Sequence, residues 1–516
     1  MSVQHVRLAA GAGVAHAAHA AREHERHRPE ETVLYQVIEE HWGEFVERAE
    51  EHGGLPRFVL TEVEEYLRCG RLEHGLLRLA CTQCGHERLC AFSCKRRGFC
   101  PSCLGRRMTD AALDLVERVL PWGVPIRQWV CSLPWRLRVL CGYDRALCAD
   151  VVRAFTEEVR RSLRRRAKDE LGLASLADAH TGSVAFVQRF DSALRLNVHV
   201  HSLFLDGVYV RDERTEELVF HPLPEPTAGE VAEVAERTAK RLQKVLVKHG
   251  RALDPELVDV DVEHASPESD HPALDACYGA AAQGIDLLGA RAGRPTLRLV
   301  DPSQVRPHEP AAIVMGVNVH AKVAVDGRDR PRLERLCRYL GRPPIAQERL
   351  SRLPDGRVRY DMKKAWRDGT KAVVLEPLDL IARVLAMIPP PRFHMVRYYG
   401  VLSSHSALRS EVVPRAPASP ENPVAADGCV QLELRFEGGD DEDEAPRRRR
   451  PWAWMLRHVF QNDVSICARC GGAMRWLEVA TTSEAIARAM ADHGLGPRPP
   501  PRREWVPFGQ LTLGFG

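Results

Sequence analysis

Seven cysteines lie between Cys69 and Cys103, and four of them form two CxxC pairs, Cys81-Thr-Gln-Cys84 and Cys100-Pro-Ser-Cys103, with fifteen residues between the pairs. A CxxC pair presents two thiolates from one tight turn, and two such pairs fill the tetrahedral shell of a structural zinc ion. Apolar packing requires no such spacing, so buried free thiols are the weaker reading. In a chain of 516 residues this crowding points to metal ligation in a reducing compartment, with the cytoplasm as the expected location, and away from a disulfide scaffold. Cys69, Cys90, Cys94, His74 and His86 are near enough in sequence for a second ion or a substituted ligand. Arg88, Lys95, Arg96, Arg97, Arg106 and Arg107 surround the pairs with positive charge suited to phosphate, so the metal is expected to shape a DNA-binding finger.

Bulk charge adds nothing to that expectation. Lysine plus arginine (73) against aspartate plus glutamate (70) leaves +3, so nucleic-acid binding has to rest on local patches. No uninterrupted apolar stretch approaches the roughly 18 residues of a membrane span. Residues 1–32 hold His5, His16, His19, His24 and His27 among alanines and charges, which reads as a frayed leader without a secretory signal.

The organisation expected from the pattern is a leader with helices over 1–60, a zinc-binding domain over 61–110 and a catalytic domain over 111–412. A charged linker over 413–450 and a small unit over 451–516 follow. Apolar residues recur at helical spacing over 31–51 and 61–67, and helices are also expected over 146–168 and 227–249. Strand-like stretches occupy 126–133, 183–190, 194–210 and 311–325, and their alternation with helices indicates an α/β or α+β core. The run Asp440 to Glu444 followed by Arg447 to Arg450 reads as a solvated linker, with phosphate contact as the alternative for the arginines. Cys467-Ala-Arg-Cys470-Gly-Gly is half of a zinc ribbon with no second CxxC behind it, either metal-free or completed elsewhere.

Two further clusters carry chemistry. In Asn197-Val-His199-Val-His201 side chains alternate across a strand, so both imidazoles share one face while Val198 and Val200 pack on the other. Such a pair can hold one divalent cation, although an isolated HxH is as compatible with ordinary core or surface histidines. On the helix expected over 330–340, Leu333, Leu336, Cys337 and Leu340 form the apolar stripe, and Arg332, Arg335 and Tyr339 share a second face. A metal at HxH can polarise a phosphodiester and a tyrosine on a neighbouring helix can attack it. No Walker A loop is present, and Gly11-Ala-Gly13 lacks the third glycine and preceding strand of a dinucleotide site.

Several further segments occur in a characteristic order: LRCG at 67–70, AFSCKRRGFCPSC at 91–103, FVQRFDSALRLNVHVHSLFLDGVYV at 186–210, LERLCRYLGRPPIAQERL at 333–350 and PPRFHMVRYYG at 390–400. With them the chain resembles the HUH-type tyrosine transposases of the insertion sequence 91 family and the related common-region elements, over most of its length from about Cys69 to about Pro497. The resemblance implies an α+β fold: an antiparallel sheet with flanking helices, like replication-initiator domains, preceded by a cysteine-rich zinc domain. It implies that His199 and His201 ligate catalytic Mg²⁺ or Mn²⁺. It further implies that Tyr339 forms a 5′-phosphotyrosine link with single-stranded transposon-end DNA, leaving a free 3′-OH. Cys69, Cys81, Cys84, Cys94, Cys100 and Cys103 are the expected zinc ligands, and Lys95, Arg96, Arg97, Arg106, Arg107, Arg332 and Arg335 the expected DNA contacts.

Two-tyrosine members carry a second tyrosine one turn earlier, where this chain has Arg335, so a single-nucleophile cycle is expected. Tyr398 and Tyr399 are rival nucleophiles. For a third metal ligand there are two candidates: Gln188, which a turn near Ser192 would set opposite Asn197, and His320 on another strand. Arg161, Arg164, Arg165, Arg166 and Lys168 are either a phosphate grip or a solvated helix face. A plasmid replication initiator or relaxase would share the chemistry, and a zinc-dependent DNA-binding protein with an inactive site would share the finger alone.

Overall fold

A computed structural model describes residues 28–251, 270–306, 313–414 and 466–496. The five N-terminal histidines and the acidic and basic runs at 440–450 lie outside the described residues. The chain enters through α1 (Val33–Glu50), capped by the Thr32 side chain accepting from Tyr35 N–H, and α2 (Arg57–Arg68). The hairpin β1 (Leu76–Cys81) and β2 (Glu87–Ala91) follows, then α3 (Pro101–Arg118), β3 (Ile126–Ser132), α4 (Trp135–Tyr143) and α5 (Arg145–Leu171). Next come β4 (Gly182–Phe190), β5 (Leu196–Leu205), β6 (Gly207–Arg211), β7 (Leu218–Pro222) and α6 (Ala228–Lys248), the last begun by a Thr227–Glu230 capping box. Then follow α7 (Pro272–Gln283), β8 (Leu297–Val300), β9 (Ile313–Val314), β10 (Val317–Val325) and α8 (Arg330–Leu340). The described chain closes with β11 (Leu350–Arg352), β12 (Val358–Asp361), β13 (Thr370–Leu375), α9 (Pro377–Met387), β14 (Val396–Gly400), α10 (Arg409–Val412), β15 (Met474–Ala480) and α11 (Ser483–Ala491).

The centre is an antiparallel sheet in the order β14-β4-β5-β3-β10-β9. Alternation along β5 assigns its two faces. Val198, Val200 and Phe204 enter the larger core with α1, α2, α5, α6 and α9, whereas Leu203 and Leu205 enter a second core with α3 and α8. His199 and His201 are in phase with Leu203, so they belong to the face covered by α3 and α8. The chain is thus of the α+β class.

The cysteine-rich module is continuous with this core. Phe99, Cys100 and Cys103 are buried in the same cluster as Tyr66, Val59 and Trp129, and α3 runs without interruption past residue 110, where a domain boundary was expected. The C-terminal unit also joins the N-terminal module: β15 pairs antiparallel with β1 in a β15-β1-β2 sheet, over a small core of Leu72, Leu76, Ala480, Ile486, Ala489 and Met490.

Arg189, at the end of β4, fastens the sheet to α9. Its guanidinium is 1% exposed and donates to the carbonyls of Gly142, Ala386, Met387 and Ile388, two of them at 3.0 and 3.2 Å. Burial holds its pKa below the usual guanidinium value. Arg189→Met leaves four buried carbonyls without a donor and is expected to cost about 3–5 kcal/mol, read as a lowered urea midpoint at unchanged m-value. A loss under about 1 kcal/mol would show that water replaces the guanidinium.

Candidate active site

On β5 the His199 and His201 rings stand edge to face, 4.8 Å between centroids. His199 Nδ1 lies 2.7 Å from the carbonyl of Asn197, a contact that places the proton on Nδ1 and leaves Nε2 as the lone-pair nitrogen. His201 is 5% exposed, its Nδ1 2.7 Å from the amide nitrogen Nε2 of Gln128 on β3, which as placed donates to it. Metal ligation through His201 Nε2 requires the Gln128 amide flipped, its oxygen accepting from Nδ1–H. Burial lowers both pKa values: that of His201 falls to about 3, helped by His199 and Arg342, and that of His199 also falls, with Arg342 and Arg138 contributing. Both rings are neutral near pH 7, the form in which imidazole ligates metal.

Gln188 on β4 lies directly opposite His199. The expected partner was Asn197; the register differs because the pairing shifts between Gln188 and Phe190. The turn itself is set by Asp191, whose carboxylate accepts from Ala193 N–H and Arg195 N–H, with Leu194 at φ 59°. The Gln188 amide donates from Nε2 to the carbonyls of Tyr339 (3.3 Å) and Leu340 (3.0 Å), so it ties the C-terminal carbonyls of α8 to β4, the strand beside the histidines. Its Oε1, like Nε2 of His201, is buried without a hydrogen-bond partner. With the Gln128 amide flipped, two orphaned acceptors beside a paired imidazole are what a divalent cation would satisfy, so the donor set fits the metal.

His320 is not brought to this set. It is exposed on β10, in the same cross-strand row as His201 but with Val130 of β3 between them, about 10 Å away at ordinary strand spacing. Among the described residues, no group of three histidine, cysteine or carboxylate ligand atoms forms around HxH.

Tyr339 reaches the histidines from α8. Asp329 accepts from Arg332 N–H at the start of that helix, and Leu333, Cys337 and Leu340 are buried against α3 and the sheet, leaving Tyr339 46% exposed. Its ring meets His201 edge-on at 6.1 Å. The cation beside it is Arg342, 4.4 Å from the ring centroid and also over Phe190 at 5.6 Å. Arg332 and Arg335, the companions expected from helical spacing, are exposed on α8. Arg342 and Gln128 were missed; the first lies just beyond the helix, where helical periodicity ends, and the second is a polar residue in a strand-like run with no local signal.

Tyr398 and Tyr399 pair with Val184 and Ser183 at the β14 edge, and their rings pack into the two opposite cores, Tyr399 beside Arg153 and Thr156. Of the basic residues on α5, Arg165 pairs with Glu233 (3.1 Å), Arg166 with Glu230 (2.8 Å) and Arg161 with Glu157 (3.3 Å). Arg165 and Arg166 thus serve the α5–α6 contact, whereas Arg161 pairs within α5 and stays half exposed.

The cysteines divide into two sets of four, Cys69, Cys94, Cys100 and Cys103 in one and Cys81, Cys84, Cys467 and Cys470 in the other. The expected union of the 81/84 and 100/103 pairs does not form. Cys100 and Cys103 sit at the start of α3, turned toward Cys69 at the end of α2, whereas Cys81 and Cys84 cap the outer end of the β1–β2 hairpin. In the first set the sulfurs are 3.4–3.7 Å apart, close to the edge of about 3.8 Å that a tetrahedron with Zn–S near 2.3 Å requires. Hydrogen bonds from Cys100, Cys69 and Cys94 pull the Cys103 thiol far down. Cys90 is buried outside both sets, its pKa pushed up to about 11 by burial, and neither His74 nor His86 belongs to either. Arg107 donates to the Lys95 carbonyl at 2.6 Å, and Lys95, Arg96, Arg97 and Arg106 lie around the first set.

Residues 182–409 match a family described as "Putative transposase", and residues 37–133 match a transposase zinc-binding domain of the insertion sequence 91 type. The two matched segments support a transposase of the insertion sequence 91 type with an N-terminal zinc-binding domain. This transposase is also 24% identical over 360 residues to the transposase for insertion sequence element IS801 of Pseudomonas savastanoi pv. phaseolicola, covering 69% of this chain and 72% of that one. No solved structure matches it. Its N-terminal module is a zinc-binding domain, and the cysteine sets support structural zinc there. DNA is its partner by family, and no helix among the described residues is long and apolar enough to cross a membrane.

Proposed function

We propose that this transposase nicks and joins single-stranded DNA at the ends of its element through a 5′-phosphotyrosine on Tyr339. The observation that carries the reading is the edge contact between Tyr339 and His201, beside the orphaned Nε2 of His201 and Oε1 of Gln188. His199, His201 and Gln188 would hold the divalent cation. When bound, Mg²⁺ or Mn²⁺ withdraws charge from a non-bridging oxygen of the scissile phosphate. Tyr339 Oη attacks phosphorus: the Oη–P bond forms, the P–O3′ bond breaks, and the 3′ oxygen leaves with a proton. One phosphodiester is exchanged for another, so no nucleotide triphosphate is consumed. Arg342, stacked over the tyrosine ring, lies where it can meet the phosphate. Gln188 holds the end of α8 at the fixed distance the attack needs.

The test is incubation with single-stranded element-end oligonucleotides and Mn²⁺. An SDS-resistant protein–DNA adduct is expected, and its absence with every end sequence of the parent element would overturn the proposal. Gln128 supplies a separate prediction. Gln128→Leu removes the group that orients the His201 ring and is expected to lower adduct formation about 10- to 100-fold, with partial recovery at raised Mn²⁺. Unchanged rates and Mn²⁺ dependence would show that the sheet alone fixes the ring.

A further inference from the structure

The second cysteine set joins the two ends of the chain. Cys84 and Cys467 are 383 positions apart in sequence, yet their sulfurs are 3.7 Å apart, and those of Cys81 and Cys470 are 3.4 Å apart. A disulfide would need about 2.05 Å, while these separations approach the edge of about 3.8 Å of a zinc tetrathiolate. The two halves are built alike. Cys81 N–H donates to the His86 carbonyl (2.8 Å) and Gly85 N–H to Cys81; Cys467 N–H donates to Gly472 (2.8 Å) and Gly471 N–H to Cys467. Gly85 and Gly471 each follow the second cysteine with φ of 68° and 74°, a conformation that favours glycine. Backbone N–H groups of Gln83 and Gly472 each point at a sulfur, of Cys81 and Cys470, at 3.4 Å. Such N–H donors stabilise a thiolate.

We infer that Cys81, Cys84, Cys467 and Cys470 bind a second zinc ion, distinct from that of the Cys69 set, and that this ion clasps the C-terminal unit to the N-terminal zinc-binding domain. Besides the β1–β15 pairing and the Thr82 bonds to the Ala473 carbonyl, the described unit has few ties. Its shared core contains six buried apolar side chains, and its ion pairs are Arg78 to Asp492 (2.8 Å) and His493 to Glu87 (3.3 Å), worth little where exposed. A unit this small is below the size at which apolar burial alone sustains a fold, so metal ligation is the natural supplement. Four thiolates select zinc over Mg²⁺ or Mn²⁺, which the same protein would carry on His and Gln. The inference is independent of the nucleophile assignment.

Elemental analysis of the purified full-length protein is expected to give two zinc ions per chain. The Cys467→Ser, Cys470→Ser variant is expected to keep one, and the Cys69→Ser, Cys94→Ser variant to keep the other. Cobalt-substituted wild type should show the charge-transfer bands of two tetrathiolate sites, halved in each variant. A protease site inserted between residues 420 and 440 reads the clasp: after cleavage the C-terminal piece should co-elute with the rest, and separate on chelation or in the Cys467→Ser, Cys470→Ser variant. Unchanged zinc content in that variant, or fragments that stay together equally well without metal, would overturn the inference.

Discussion

Tyr339→Phe is expected to abolish the SDS-resistant adduct, lowering its rate of formation by roughly 10³-fold or more, as loss of a nucleophile does. The substitution is well isolated. Phenylalanine keeps the edge contact with His201 and the stacking under Arg342, and only the hydroxyl at the attacking position is lost. The ring is nearly half exposed, so stability should change by no more than about 0.5 kcal/mol. DNA binding without covalent attachment should therefore persist, measurable as an unchanged Kd for the end oligonucleotide. If the adduct survives, Tyr398 or Tyr399 becomes the next candidate, and both would require β14 to leave the sheet edge where it pairs with β4.

The second large effect is expected at His201. His201→Ala removes the more deeply buried of the two histidines, and loss of the Lewis acid it helps hold is worth several kcal/mol, about 10³-fold in adduct formation. The response to Mn²⁺ should shift as well, with half-maximal activity moved to higher concentration. Truncation also leaves the Gln128 amide without its partner, so about 1–3 kcal/mol of stability goes with it. Urea unfolding separates the two losses. A His201→Ala protein that forms adduct within threefold of wild type at low Mn²⁺ would remove the histidine pair from the proposed chemistry.

How much of this site was legible depends on the distance over which its determinants act. The period of two in Asn197-Val-His199-Val-His201 is enough to put both imidazoles on one face, and Val198 and Val200 are indeed in the opposite core. Likewise the helical stripe of Leu333, Cys337 and Leu340 predicts which side of α8 is buried and leaves Tyr339 outward. Both are local: backbone geometry fixes where neighbouring side chains point. Gln188 was within reach of the same reasoning but landed opposite His199 through a register shift, which depends on how the Asp191 turn closes.

Arg342 and Gln128 lay beyond local reasoning. One sits past the end of a helix and the other 73 positions from the ring it orients, and only the packing of α8 and β3 on the central strand brings them to the site. The cysteines divide in the same way. Their CxxC spacing by itself determined that this chain builds thiolate knuckles, because two sulfurs on one tight turn need no distant help. Which knuckles converge was decided by tertiary structure alone. Cys100 and Cys103 open α3 and are carried into the core beside Cys69, while Cys81 and Cys84 lie at the tip of a hairpin whose first strand, β1, pairs with β15 from far along the chain. Four ligands must converge on one point, and convergence is a property of the packed chain.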